Sequence, residues 1–282
     1  MSNYGGLPEK YSNQETSAIT IIPVPYDGTS TWIKGADRGP QAIIEASANM
    51  ELYDIETGTE VYLKGIFTSQ PVTEKSTPEK MSSAVHEKVR HYINRGKFTV
   101  ITGGEHSVSI GSMKAFSEKY TDLSILQIDA HSDMRNEYEG SGHNHACVMA
   151  RARELAPVVQ VGIRSSDAGE LDMMDPERVF FAHQIYNTEQ WMNKATNLLT
   201  DNVYMTIDLD AFDPSIMPST GTPEPGGMGW YQTLDFIRNV IEHKNLVGFD
   251  VVELCPSEGN KAPDFLAAKL IYRILSMRFA KK

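Results

Sequence analysis

The sequence predicts an α/β protein in which helices cover both faces of a mostly parallel β-sheet. Two observations support this fold class. Apolar, β-branched runs alternate along the chain with amphipathic segments, which is typical of strands joined by crossover helices. In addition, side chains with metal-ligand chemistry follow three of these runs, and such sheets bind their ligands at the carboxyl ends of the strands.

The predicted strands are short apolar runs rich in β-branched residues, as buried parallel strands are. They span residues 18–24, 61–67, 98–101, 123–128, 158–163, 178–181, 203–207 and 246–252. The predicted helices are amphipathic segments that lie between several of these runs. They span residues 41–53, 78–94, 109–120, 146–155, 188–199 and 231–243, and a last helix at 262–279 closes the chain.

Length and composition favour one large soluble domain, because no linker divides the 282 residues. Residues 1–16 are polar and predict a loosely ordered N-terminal segment without a secretory signal. No apolar run approaches the ~18 residues that cross a bilayer, so we expect no membrane contact. Only Cys147 and Cys255 occur, which is consistent with a reducing cytoplasm. The formal net charge of -11 disfavours nucleic acid and favours small cationic ligands.

Six side chains with metal-ligand chemistry follow three of the predicted strands. They are His106, Asp129, His131, Asp133, Asp208 and Asp210. Because alternate residues of an extended chain point to the same side, Asp129, His131 and Asp133 would converge on one point. Imidazole and carboxylate ligands without thiolate suit hard or borderline ions such as Mn²⁺. Six ligands exceed the need of one catalytic ion and suit a pair of ions ~3.5 to 4 Å apart.

Each cluster alone also has a structural interpretation. An Asp-x-Asp sequence at a strand end is often a helix cap or a turn. A histidine after Gly-Gly-Glu is often a loop residue whose hydrogen bonds are satisfied. The coincidence of three clusters, each at a strand end, favours the metal site over these alternatives.

Two further residues are candidates for the chemistry. His145 stands before a predicted helix, where a neutral imidazole could move protons. A solvent-facing role fits its spacing equally well, and His143 competes for the assignment. Glu253 ends the last predicted strand and could pair with a planar guanidinium, or with a helix terminus. We interpret the neighbouring Asp250 and Cys255 as structural.

The three clusters together closely resemble the signatures of the ureohydrolase family, the arginases and agmatinases. Residues 103–107 match Gly-Gly-(Asp/Glu)-His, and residues 129–133 match Asp-Ala-His-(Thr/Ser)-Asp. Residues 206–214 match Ser-(Ile/Leu)-Asp-(Ile/Leu)-Asp-x-(Ile/Phe/Leu)-Asp-Pro, with Thr206 in place of the usual Ser. The chain also looks like agmatinases at residues 24–30, 35–40, 220–227 and 253.

The resemblance implies one ureohydrolase domain over residues 1–282 with the arginase/deacetylase-type fold, a three-layer α/β/α arrangement around an eight-stranded, mostly parallel sheet. It further implies assembly as a homotrimer or homohexamer. Two Mn²⁺ ions per chain would be held by His106, Asp129, His131, Asp133, Asp208 and Asp210. A hydroxide that bridges the ions would attack the guanidinium carbon, giving urea and an amine. His145 would shuttle protons, Asp133 could pass a proton to the departing amine, and Glu253 would hold the substrate.

Agmatine is the substrate that the resemblance favours, with urea and putrescine as products, as in polyamine biosynthesis. Residues 136–140 and 221–227 look like agmatinases, and the arginase sequence Asn-x-His-Gly is not evident. Arginine, guanidinobutyrate, guanidinopropionate, formiminoglutamate and guanidine are the alternatives, and Arg135 could receive a substrate carboxylate. A single-zinc deacetylase and a noncatalytic metal-binding subunit are the alternatives from other classes.

Overall fold

The computed structural model describes residues 3–280, which form one eight-stranded sheet in which every strand pairing is parallel. The strands are β1 Ile19–Val24, β2 Ile66–Thr68, β3 Phe98–Gly103, β4 Leu123–Ile128, β5 Val158–Ile163, β6 Val179–Phe181, β7 Asn202–Asp208 and β8 Asn245–Val252. Their order across the sheet is β2-β1-β3-β8-β7-β4-β5-β6. The strands β3, β8, β7 and β4 are therefore consecutive neighbours at its centre.

Ten α-helices connect or flank these strands among the described residues. They are α1 Glu9–Ser12, α2 Gly39–Ser47, α3 Pro78–Ile93, α4 Val108–Lys119, α5 Val148–Leu155, α6 Ala168–Leu171, α7 Ala182–Ile185, α8 Gln190–Asn197, α9 Trp230–His243 and α10 Ala262–Phe279. None of the helices within residues 3–280 combines the length and the apolar character that a bilayer span requires.

Successive side chains of the central strands alternate between two apolar cores, one on each face of the sheet. Val100 and Leu126 pack into one core, which α2, α8, α9 and α10 cover. Their neighbours Ile101 and Ile125 pack into the other core, which α3, α4 and α5 cover. Burial on both faces explains why these strands read as continuous apolar runs. The arrangement is the three-layer α/β/α fold that the sequence predicts.

Two predicted elements differ from the structure by more than two residues at one end. Within the predicted strand at 61–67, Val61–Lys64 forms a 3-10 helix, and β2 begins only at Ile66. The cause is Gly65, whose φ of 76° turns the chain before it joins the sheet edge. The predicted helix at 41–53 already ends at Ser47, after which the chain turns toward an antiparallel bridge between Asp54 and Thr59.

The N-terminal segment, for which the sequence predicts loose order, contacts the core near its start, whereas residues 8–10 and 14–16 are exposed. Tyr4 is fully buried, and its hydroxyl donates to the carbonyl of Ala268 in α10 at 2.7 Å. Leu7 is also buried in the same core. Two apolar anchors in an otherwise polar stretch therefore fix the segment, while its first two residues lie outside the described part of the chain.

A buried ion pair between Asp54 and Arg273 joins α10 to the loop after α2. Arg273 Nη1 donates to both carboxylate oxygens of Asp54 at 2.5 and 2.6 Å. We expect Asp54→Asn to lower the free energy of unfolding by about 3 kcal/mol, because it leaves the buried Arg273 only the partly exposed Glu56, whose Oε2 lies 2.6 Å from Nη2. Asp235→Asn is the control, because it breaks a half-exposed ion pair with Arg238. This variant should change the free energy of unfolding by less than about 1 kcal/mol. Urea unfolding compares the two variants, and equal effects would contradict the prediction.

Candidate metal centre

The predicted ligands meet because they follow neighbouring strands of a parallel sheet. His106 follows β3, Asp129 follows β4, Asp208 ends β7, and Glu253 follows β8. Since the carboxyl ends of these four strands lie side by side, their side chains converge on one cavity of about 370 Å³. The predicted residues that line it are His106, His131, Asp133, His145, Asp208, Asp210 and Glu253. Asp129 lies buried among them.

The first ligand group surrounds one ring nitrogen of His106. Nδ1 of this buried imidazole lies 2.9 Å from Asp133 Oδ2, 3.2 Å from Asp129 Oδ2 and 3.5 Å from Asp208 Oδ2. Three carboxylate oxygens thus crowd one buried ring nitrogen, and none of these contacts has the alignment of a good hydrogen bond within residues 3–280. Crowded, buried carboxylates repel one another, and a cation among them would offset that repulsion. His106, Asp129 and Asp208 can hold one metal ion.

The second ligand group shares Asp129 with the first. His131 Nδ1 lies 2.9 Å from Asp210 Oδ2 and 3.8 Å from Asp129 Oδ1. Asp129, His131 and Asp210 can therefore hold another ion. Four aspartates and two histidines without a cysteine form the donor set that hard or borderline divalent ions prefer. The residues present thus fit a pair of ions that share one carboxylate.

The electrostatics of the cluster also favour bound cations. Burial, together with the charge of Asp210, raises the pKa of Asp129 to about 7. Burial lowers the pKa of His131, but the charge of Asp210 outweighs it and raises this pKa to about 10. Burial opposes the ionisation of Asp210 as well, yet His131 brings its pKa down to about 2. These shifts favour protons on Asp129 and on the His131 imidazole, and a metal ion that binds here would displace them.

A chain of hydrogen bonds beneath the cavity fixes the ring of His106. His106 Nε2 lies 2.9 Å from Thr206 Oγ1, and Thr206 donates to Asp250 Oδ1 at 2.6 Å. Tyr204 donates to the other oxygen of Asp250 at 2.6 Å, and all four residues are buried. A proton on Nε2 satisfies this chain and leaves the Nδ1 lone pair for a metal. Asp250, which we interpret from sequence as structural, thus supports a candidate ligand.

Glu253 has a strained backbone and an anchored carboxylate. Its φ is 66°, a conformation that few residues other than glycine adopt. The backbone N–H of His106 donates to Glu253 Oε1 at 2.8 Å, and the Glu253 N–H donates to the carbonyl of Gly104 at 2.8 Å. Burial and the nearby Glu105 raise the pKa of Glu253 well above its usual value. The carboxylate is thus held at the cavity wall, where burial and Glu105 oppose its ionisation. A cationic ligand would favour the ionised form.

His145 is half-buried and lines the cavity, whereas His143 is not among the lining residues. The ring of Tyr138 stands perpendicular to that of His145, with centroids 6.1 Å apart. Arg135 at the mouth donates from Nε to the buried Glu170 at 2.7 Å and stacks 4.5 Å above the ring of Tyr138. Its charge is therefore compensated within the protein.

Arg164 ties two loops of the site together, and the sequence patterns do not single it out. Its guanidinium donates to the carbonyl of Asp210 at 2.6 Å and to the carbonyls of Glu224 and Pro225 at 2.8 and 3.1 Å. Glu224 reaches the second ligand group, with Oε1 3.9 Å from His131 Nε2. A planar donor fork suits such a cluster of carbonyls.

Residues 17–276 match the Arginase family profile. An N(1)-aminopropylagmatine ureohydrolase from Synechocystis is 38% identical, and the match covers 95% of this chain and 91% of that protein. An agmatinase from Pyrococcus horikoshii is 30% identical over 91% of this chain and 90% of that protein. The structure of an agmatine ureohydrolase of Thermoplasma volcanium has a TM-score of 0.87 at 28% identity and covers 99% of this chain and 94% of that one. As its motifs predict, the chain belongs to the arginase family and is a ureohydrolase that acts on a guanidino compound.

Proposed function

We propose that the chain binds two Mn²⁺ ions and hydrolyses the guanidinium group of agmatine, or of its N1-aminopropyl derivative, to urea and an amine. The observation that supports this most is the pair of ligand groups that share Asp129, one containing His106 and the other His131. The proposed ligands are His106, Asp129, His131, Asp133, Asp208 and Asp210. From agmatine the amine released would be putrescine.

When bound, two such ions would lower the pKa of a water molecule and supply a hydroxide nucleophile near neutral pH. Glu253 would hold the resonance-stabilised guanidinium in position. Its Oε1 already accepts the His106 N–H, so we assign Oε2 to the substrate NH₂ groups. Asp133 would accept a proton and pass it to the departing amine, and His145 would exchange protons between the cavity and the solvent.

The charges at the cavity mouth favour a substrate without a carboxylate. Arg135 could receive a substrate carboxylate, but Glu170 binds its Nε and Asp167 Oδ2 lies 3.8 Å from its Nη2. A substrate carboxylate would have to displace one of these partners or stay unpaired. Agmatine is the substrate expected from the motifs. Its aminopropyl derivative is the second candidate because proteins from Synechocystis and Thermus thermophilus with that substrate in their names are 38% and 36% identical to this chain.

A parallel urea-release assay of the Mn²⁺-loaded protein tests the substrate. We expect the two carboxylate-free amines to exceed arginine and guanidinobutyrate by on the order of 10²-fold in kcat/KM, because a polar group left unpaired costs about 1 to 3 kcal/mol. The ratio between agmatine and the aminopropyl derivative then decides between the two candidates. Best turnover of arginine or guanidinobutyrate would contradict the proposed substrate class.

We also propose that the chain assembles as a homotrimer or homohexamer and acts in the cytoplasm. The resemblance to the ureohydrolase family supports the proposed assembly, and light scattering of the purified protein tests it. Cell fractionation tests the location.

A further inference from the structure

A hydroxyl joins His145 to a buried carboxylate. Thr29 Oγ1 lies 3.2 Å from His145 Nδ1 and accepts the backbone N–H of His145 at 3.0 Å. The same hydroxyl donates to Glu105 Oε1 at 3.0 Å. Thr29 is buried, and Glu105 is completely buried. The geometry resembles the chain beneath His106, in which a threonine hydroxyl also stands between an imidazole and a carboxylate.

The direction of these hydrogen bonds follows from counting protons. The other groups that contact Glu105 are donors: the Ser107 N–H at 2.7 Å, the Ser107 hydroxyl at 2.8 Å and the Thr29 N–H at 3.4 Å. Each oxygen of Glu105 faces a backbone N–H donor, so the carboxyl group is arranged as an acceptor and takes the single hydroxyl proton of Thr29. The Thr29 oxygen then has only lone pairs left for His145. A hydrogen bond between this oxygen and His145 therefore requires a proton on Nδ1.

We propose that Glu105 and Thr29 are positioning residues that hold His145 with Nδ1 protonated and Nε2 presented to the cavity. This inference rests on the proposed function, in which His145 transfers protons. It gives a role to two residues that belong to neither ligand group and do not line the cavity. A ring fixed through Nδ1 offers Nε2 in one orientation for every turnover, which is the arrangement that general acid–base catalysis requires.

The kinetic test compares Thr29→Val, which removes the hydroxyl and keeps the shape, with Thr29→Ser, which keeps the hydroxyl. We expect Thr29→Val to lower kcat by about 10²-fold, within the range that general acid–base catalysis contributes, with KM and the Mn²⁺ content unchanged. Thr29→Ser should keep kcat within a few-fold of the parent protein. Loss of metal in Thr29→Val, or equal losses of kcat in both variants, would overturn the proposal.

A double-mutant cycle separates positioning from a structural role. If Thr29 acts through His145, Thr29→Val should not lower kcat further once His145→Ala is present. A further decrease in the double variant would indicate a structural role and overturn the proposal. If His145→Ala alone leaves kcat unchanged, the proton-transfer part of the proposed function fails. If His145→Ala lowers kcat and Thr29→Val does not, the proposed function stands, and the proposal that Thr29 and Glu105 position His145 fails.

Neutron diffraction of the Mn²⁺-loaded protein gives a readout that needs no variant. The proposal predicts a deuteron on His145 Nδ1 and a Thr29 hydroxyl deuteron directed at Glu105. A deuteron between Thr29 and His145 that belongs to the hydroxyl, with Nδ1 bare, would overturn it even if the variants fail to fold.

Discussion

Asp129→Asn is expected to remove both metal ions and to abolish turnover. Asp129 is fully buried and is the residue that the two ligand groups share, so its replacement damages both positions. Its carboxylate also accepts the His131 N–H at 2.6 Å and a proton of Gln127 Nε2 at 2.7 Å, one on each oxygen. In the asparagine variant, the side-chain NH₂ group would face one of these two donors and could not accept its proton. We expect activity to fall by roughly 10⁴-fold or more, because attack then depends on neutral water.

The matched control is Asp167→Asn. Asp167 lines the same cavity but belongs to neither ligand group, and its side chain is more than half exposed. Elemental analysis of purified protein should find two ions per chain in this variant and none in Asp129→Asn. Retention of one ion by Asp129→Asn would show that the aspartate serves a single position, which would contradict the shared-ligand arrangement.

Glu253→Gln is expected to keep both ions and to lose catalysis. The glutamine oxygen can still accept the His106 N–H, so the ligand group should keep its shape. The substitution removes the negative charge that would face the guanidinium. We therefore expect kcat/KM to decrease by about 10²- to 10³-fold, which is the usual effect of removing one partner of a buried charge pair. Steady-state urea release and metal content, measured on the same preparation, test this. A glutamine variant without metal would assign Glu253 to the metal site itself.

Local patterns in the sequence predict which residues form the candidate metal centre. His106, Asp129 and Asp208 each stand at the end of an apolar run, and the end of a buried strand is set by local composition. The sequence does not specify the order of the strands. That order places β8 between β3 and β7 and so brings Glu253 to the backbone of His106, although 147 residues separate the two along the chain.

The supporting residues carry no comparable signal in the sequence. Thr29 lies 116 residues from His145, and a threonine in a loop has no metal-ligand chemistry to attract notice. Asp250 is part of β8, which is buried from Leu246 onward, so its sequence context indicates a structural role and conceals its contact with Thr206. Arg135 shows the opposite case, because the sequence offers it as a free cation and the fold pairs it with Glu170. Such partners become visible only when distant segments are packed together.

Titration of metal-free protein with Mn²⁺, with urea release from agmatine and its aminopropyl derivative followed in the same samples, tests the central claim most directly. Two ions per chain, with turnover that appears only as they bind, is the predicted result. An active protein that holds a single ion, such as one zinc, or no metal at all would contradict it.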